Sequence, residues 1–425
     1  MHDTLRRVRR FLGWGAAVLF VVGSTAGAGL AGQDTGVLNV TPPGTATMAT
    51  KAADAPGAVV KTAEGTPDEA MKRSVLQGMA AGSQPGTDCV PVRSRISLYN
   101  LGSIDSFDIT QGGVKAAKTF IEYFNTGDTK FAHEALEMYE KLIPKENFGG
   151  EYTALQWFLE YITGSEDTRK EMLADPYHAF YFHYFADNDW AVLKEYLKLK
   201  YSVAEVAAEK QKKKDQEEPQ DPKALLERTA FLEDLILFNN PRRERWEKTS
   251  KILSVLNIKE GERVIDIGSG PGYYSYFFSQ MVGPSGQVYA VDIKKSHIDY
   301  MDKITEQLNI KNISRVQAAT DNIKVEDKVD VAFMCSLYHI VYGYMAEPTR
   351  RGFLDSIIKT LKKDGRLVIV DNDLVEDTTM PYHGPYIVRE LIISQLAFYG
   401  FELVEEHQFI PQRYVLVFKL KEGAN

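Results

Sequence analysis

Cysteine is nearly absent from this chain. Its 425 residues include two, Cys89 and Cys335, far apart in sequence. They give neither a disulfide framework nor a cysteine-based zinc spacing, so a disulfide-stapled scaffold and a zinc module are both excluded as expectations. Blocks of positive charge are missing from the body of the chain. The 50 Lys and Arg are outnumbered by 58 Asp and Glu, for a formal charge of −8. No basic stripe is present to track a phosphate backbone, and nucleic acid is not an expected partner. Histidines at helical ligand spacing are lacking too. His178 and His183 fall five apart, not at i,i+4, and no metal site is expected.

Long hydrophobic runs are also lacking. One apolar run, "FLGWGAAVLFVV", follows Arg6, Arg7, Arg9 and Arg10. It is short and glycine-bearing for a full membrane span. A cleaved export signal is the preferred reading of residues 1–32, with Ala26-Gly27-Ala28 or Gly29-Leu30-Ala31 as the cleavage site; an uncleaved anchor is the alternative. The protein is accordingly expected in the periplasm or held at a membrane by its N-terminus, on a side the sequence leaves open. Residues 33–90 are rich in Ala, Gly, Thr and Pro and poor in aromatics. Such a segment cannot bury enough apolar surface to offset ordering entropy and reads as a disordered linker.

What is present begins with helical periodicity over residues 91–239. Val114, Ala117, Phe120, Ile121 and Phe124 form one stripe, and Phe131, Ala135, Leu136, Tyr139 and Ile143 a second. Tyr152, Leu155, Phe158, Leu159 and Ile162 form a third, and Trp190 to Leu197 continue the series. No clean repeat period relates them. The aromatic-dense "DPYHAFYFHYFADNDW" reads as the core of this helical domain, with an apolar lid over a site as the alternative. Ser202 with Glu205 makes a capping-box pair, and Asp221 before Pro222 opens a further helix.

From residue 240 onward strands alternate with helices. "RVIDIG", "GQVYAVDI", "SRVQA", "VDVAFMC" and "GRLVIVD" read as strands. "YYSYFFSQM", "SHIDYMDKITEQL" capped by Ser296, "PTRRGFLDSIIKTL" and "YIVRELIISQLAFYG" read as helices, and "FELVEEHQF" with "RYVLVFKL" as a closing hairpin around Pro411. Such alternation implies an α/β fold: a parallel sheet covered by helices on both faces, here with an antiparallel edge and an all-α domain in front.

The first strand of that unit runs into "VIDIGSGPGYYSYFF". Glycines at a strand's carboxyl end allow positive φ and close approach of a ligand, and the following helix N-terminus favours negative ligand groups. A dinucleotide fingerprint would read G-x-G-x-x-G. Here the third glycine comes one residue early, and Asp266 lies within the strand end.

This pattern resembles the first motif of the class I S-adenosylmethionine-dependent methyltransferases. The likeness continues with Asp292 ending "VYAVDI", Asp321 in "AATDN", and "LKKDGRLVIVD" leading into a fifth strand. It spans about residues 240–420 and implies a Rossmann-like methyltransferase sheet with S-adenosylmethionine as cofactor. It also implies residue roles. Gly268, Gly270 and Gly272 would contact the methionine part, and Asp266 its ammonium group. Asp292 would accept two ribose hydrogen bonds, Ile293 would stack on the adenine, and Asp321 with the backbone of Asn322 would read the adenine edge.

The family's fourth strand ends facing the methyl group. Here that end reads "MCSLYHI", without the Asn/Asp-Pro-Pro-aromatic motif of nucleic-acid amino methyltransferases. His339 is the candidate general base; the alternative is a histidine that packs or caps a helix start. Tyr338 walls the pocket or belongs to the core. Asp371 and Asp373 orient a substrate or cap a loop, and His383 is a further base candidate. Arg242, Arg245 and Trp246 bind an anionic substrate or belong to a half-exposed helix.

The leading expectation is methyl transfer to a small-molecule or lipid-like acceptor. An exported binding or scaffold protein with a degenerate or sensing methyltransferase fold is the rival, and a protein methyltransferase a third reading.

Overall fold

The computed structural model describes residues 101–102, 110–146, 150–201, 221–373 and 386–423. The segments read as an export signal and a linker, the Ser202–Glu205 pair and His383 lie outside the described residues. Among the described residues, six helices precede residue 240: α1 (Gln111–Thr126), α2 (Thr129–Glu146), α3 (Glu151–Thr163), α4 (Glu166–Met172), α5 (Pro176–Tyr201) and α6 (Pro222–Phe238). Their ends follow local chemistry. Thr110 accepts the Gly113 N–H at 2.9 Å at the head of α1, and Asp221 accepts the Lys223 N–H at 2.9 Å ahead of Pro222 in α6. α5 is broken by non-helical backbone from Asp187 to Trp190.

Two short helices, α7 (Arg243–Glu247) and α8 (Thr249–Leu256), lead into the sheet. A two-residue strand β1 (Leu101–Gly102) pairs with β7 (Tyr386–Ile387). The main sheet is built from β2 (Arg263–Ile267), β3 (Gln287–Asp292), β4 (Ile313–Gln317), β5 (Val329–Cys335), β6 (Leu361–Asn372), β8 (Phe401–Ile410) and β9 (Arg413–Leu420). Between its strands run α9 (Tyr273–Val282), α10 (Lys295–Gln307), α11 (Tyr338–Tyr344), α12 (Glu347–Thr360) and α13 (Arg389–Phe398).

The strand order is β4-β3-β2-β5-β6-β9-β8. Pairs from β4 through β6 are parallel, and β9 runs antiparallel to both β6 and β8. The α/β expectation with a C-terminal antiparallel hairpin therefore holds. Strand order reverses between β2 and β5, which opens a crevice at the carboxyl ends of β2, β3 and β5.

Side chains alternate across the sheet. Ile265, Ile267, Ala332, Met334 and Ile369 pack on one face with α12 and α13. Val264, Val331, Phe333 and Val368 pack on the other, in an apolar cluster that continues without a gap through α9 and α10 into α1 to α6. The aromatic stretch of α5 makes that joint: Tyr177 stacks on Tyr276 at 4.5 Å, and Phe180 meets Tyr300 edge-on at 5.5 Å. These rings are buried, and the core they belong to joins the helical region to the sheet's helices.

One predicted cap is displaced. α10 begins at Lys295, so Ser296 lies inside the helix. Asp292 captures the Lys294 N–H at 2.8 Å, and this turn starts the helix ahead of the serine.

Candidate active site

The loop after β2 carries Gly268, Gly270 and Gly272 at φ of 71°, 53° and 91°. A side chain at Gly268 would begin 2.9 Å from Leu337, and one at Gly272 would begin 1.7 Å from the Met301 sulfur. The glycines thus divide their work. Gly268 and Gly270 line a cavity at the sheet's switch point, whereas Gly272 does not; it lets α9 pack against α10. The expectation of a ligand contact at Gly272 gives way to a packing role.

Asp266 lines the cavity and is 3% exposed. The Ser275 hydroxyl donates to it at 2.6 Å. Burial pushes its carboxyl up to about 7, against the pull of Ser275 and of the Arg243 charge.

Asp292 closes β3. Its Oδ2 accepts the Gly270 N–H at 2.9 Å and its Oδ1 the Lys294 N–H at 2.8 Å. Burial alone would raise this carboxyl, yet the His297 imidazolium and the Lys294 N–H hold it below the usual range. Ile293, beside it, is 38% exposed and lines the cavity.

Asp321 and Asn322 stand elsewhere. Both are exposed, and the wall at this point is Ala318, Ala319, Thr320 and Ile323. A tight Ala319–Asn322 bridge turns the chain here, and the Asn322 carboxamide is taken by the Lys324 N–H at 2.7 Å. The two predicted residues therefore lie outside the lining, displaced by that turn.

At the other end of the cavity α11 begins immediately after β5. Ser336, at the junction, has φ of 54°, a strained value for a residue with a side chain. His339 lines the cavity and is 2% exposed. Its Nδ1 lies 2.9 Å from Asp371 Oδ1, and its backbone N–H donates to Asp371 Oδ2 at 3.0 Å. Asp371, fully buried at the end of β6, thereby commits Nδ1 and leaves Nε2 as the nitrogen for the cavity. The remaining candidates separate. Tyr338 is core, its hydroxyl donating to Gln395 at 2.7 Å. Asp373 pairs with Arg389 at 2.5 Å. Arg242 pairs with Glu160, Arg245 is exposed, and Trp246 is buried outside the lining.

The sequence reading passed over the neighbour of Arg242. Arg243 reaches the cavity wall, buried, with its guanidinium 4.4 Å from the Tyr273 ring and paired with Glu247. Glu247 also accepts from Tyr274 at 2.8 Å and from the Cys335 thiol at 3.2 Å, while Arg413 donates to Ser336 at 2.8 Å. Burial, and then the Glu247 charge, push the Cys335 thiol up to about 12, which removes it as a thiolate nucleophile. Among the described residues no group of three or more side chains is placed to hold a metal ion.

Comparisons with known proteins bear on residues 258–403, which match a family model described as a methyltransferase domain. The ubiquinone/menaquinone biosynthesis C-methyltransferase of Haemophilus ducreyi is 28% identical over 142 residues, 33% of this chain and 51% of that protein. The enzyme of that name from Pseudomonas paraeruginosa is 31% identical over 127 residues, 30% of this chain and 47% of that protein. The chain spans about half the length of the curated relatives it matches. A structure titled as an S-adenosylmethionine-dependent methyltransferase from Aquifex aeolicus aligns at 25% identity and a TM-score of 0.37, covering 42% of this chain and 92% of that one. The glycine loop and the two strand-end carboxylates lie within residues 258–403, the stretch that is similar to a methyltransferase domain.

Proposed function

We propose that this protein transfers a methyl group from S-adenosylmethionine to a small-molecule or lipid-like acceptor by in-line displacement. One observation carries the reading: a single cavity gathers Asp266, the bare backbone of Gly268 and Gly270, Asp292, and the His339–Asp371 pair.

The residues suit the donor's chemistry. Asp266 is a carboxyl poised to ionise beside an ammonium. Asp292 keeps acceptor capacity for ribose hydroxyls, since its two backbone bonds leave about half of a carboxylate's four acceptor positions free. Ile293, Ile323 and Phe353 offer apolar surface to a purine. When bound, S-adenosylmethionine supplies a methyl group already activated on a sulfonium.

The chain's own residues then align and deprotonate. Phe238, Tyr273, Tyr274 and Leu337 give the acceptor end an apolar wall that excludes water. Arg243, fixed by Glu247, offers a buried cation to that wall. His339, held by Asp371, takes at Nε2 the proton an acceptor releases on methylation. The relatives named as C-methyltransferases favour this role, because a carbon acceptor must lose a proton.

The test is incubation of the full chain with methyl-tritiated S-adenosylmethionine and quinone-type or lipid acceptors. Label in the organic extract supports the proposal. Label confined to protein would replace the acceptor class, and absence of donor binding would leave a scaffold.

A further inference from the structure

The corner of the cavity around Asp292 holds a histidine that no sequence motif marked. His297 sits in the first turn of α10, 3% exposed, and lines the cavity. Its Nε2 lies 3.1 Å from Asp234 Oδ2, on α6 of the helical region. Lys294 Nζ holds the same oxygen at 2.5 Å. Asp234 thereby fixes both the ring's orientation and the proton on Nε2.

The other nitrogen is different. Nδ1 stands 3.3 Å from Asp292 Oδ2 as an ion pair, at a geometry short of a well-formed hydrogen bond. Buried donors are normally well paired, and one held by its carboxylate at a poor geometry has room for a better-aligned acceptor from a ligand. Asp292, ionised, offers acceptors only. A vicinal diol needs both: acceptors for its hydrogens and a donor for its oxygens.

We propose that His297 is a second ribose-binding residue, its Nδ1–H donating to an oxygen of the diol whose hydrogens Asp292 accepts, and that Asp234 is the positioning residue that holds it there. The inference rests on the donor-binding reading above and extends it across the molecule, since α6 then completes the donor pocket. Two neighbouring contacts favour this. The Asn239 amide donates to Pro271 O at 3.1 Å, and Phe238 lies beside Gly270 in the cavity lining.

The groups facing His297 are Asp234 from α6, Asp292 from β3 and Lys294 at the head of α10, together with the uncharged ring of Phe231. Burial alone would lower the imidazole, but the Asp292 and Asp234 carboxylates push it up to about 9. At neutral pH it therefore carries both protons.

The experiment is isothermal titration of the full chain with S-adenosylhomocysteine and its 2′-deoxy and 3′-deoxy analogues, for wild type, His297→Phe and Asp234→Asn. In wild type, loss of the contacted hydroxyl is expected to cost about tenfold or more in affinity. In His297→Phe that penalty shrinks, because the variant loses affinity for the ribonucleoside and little for the matching deoxy analogue. Equal losses for all three ligands would mean that His297 only packs, and would overturn the inference. Wild-type affinity is expected to fall as pH rises through about 9. In Asp234→Asn, which removes one carboxylate from His297, the fall moves about one pH unit or more toward neutrality; an unmoved profile would overturn the positioning role. Wild type that binds none of the three ligands would overturn the donor reading itself and this inference with it. Wild-type binding with an unaltered deoxy penalty in the variant would overturn this inference alone.

Discussion

Two carboxylates at the ends of adjacent strands behave oppositely because their neighbours differ. Asp266 has a hydroxyl and a distant guanidinium, and burial wins: its carboxyl is raised to about 7. Asp292 has two backbone N–H groups and an imidazolium, and ionisation wins. A carboxyl raised on folding contributes stability that is complete below its unfolded pKa, about 4, and is lost as pH climbs through 7. Asp266→Asn is therefore expected to raise the melting temperature at pH 8 and leave it nearly unchanged at pH 4. The same change should weaken donor binding by about tenfold or more, as the loss of a charge-assisted bond; calorimetry and titration read the two effects. Donor affinity in wild type should rise through pH 7 as Asp266 ionises and fall through 9 as His297 deprotonates. His339→Ala should keep donor affinity and lower turnover about a hundredfold or more, measured with tritiated donor at saturating acceptor. At this scale the sequence was legible where residues share one motif. Asp266, Gly268, Gly270, Asp292 and Ile293 were all visible as a loop and a strand end. His297 with Asp234, and His339 with Asp371, were not visible as pairs, because 63 and 32 residues separate the partners and only the folded sheet joins them.

Elements were read more reliably than caps. The inner parallel strands announced themselves by short apolar runs, since strands buried on both faces need no alternation, whereas the edge strand β4 alternates. Helix starts depend on single hydrogen bonds, and the Asp292 carboxylate overrode the serine that looked like the cap of α10. The break in α5 had no Pro or Gly to reveal it; it falls at Asp187-Asn188-Asp189, residue types that tolerate left-handed backbone. Gly272 is the element-scale test. Its φ of 91° and its contact with Met301 predict that Gly272→Ala destabilises the fold by about 1–3 kcal/mol. Urea titration should show a lower midpoint with an unchanged slope, and a stability equal to wild type would remove the packing role assigned to this glycine.

On the scale of the whole molecule, the helical region and the sheet share one apolar cluster. Tyr177, Phe180 and Tyr184 of α5 cover Tyr276 and Tyr300, while Asp234 and Phe238 of α6 enter the cavity wall. A fragment restricted to residues 240–425 should consequently expose an aromatic face and lose donor affinity. Expression of that fragment, read by solubility and titration, checks the point; a soluble fragment binding the donor as tightly as the full chain would contradict it. The periodicity of the helices was plain in the sequence, but their service to the cofactor pocket was not. It depends on which helix face meets the sheet, and no local pattern records that.

The most direct test of the account is a crystal structure of the full chain grown with saturating S-adenosylhomocysteine. The account predicts the ribose diol at Asp292, the adenine over Ile293, and the amino-acid tail along Gly268 and Gly270 with its ammonium toward Asp266. A cavity without the nucleoside under those conditions, or a nucleoside bound away from Asp292, would contradict it.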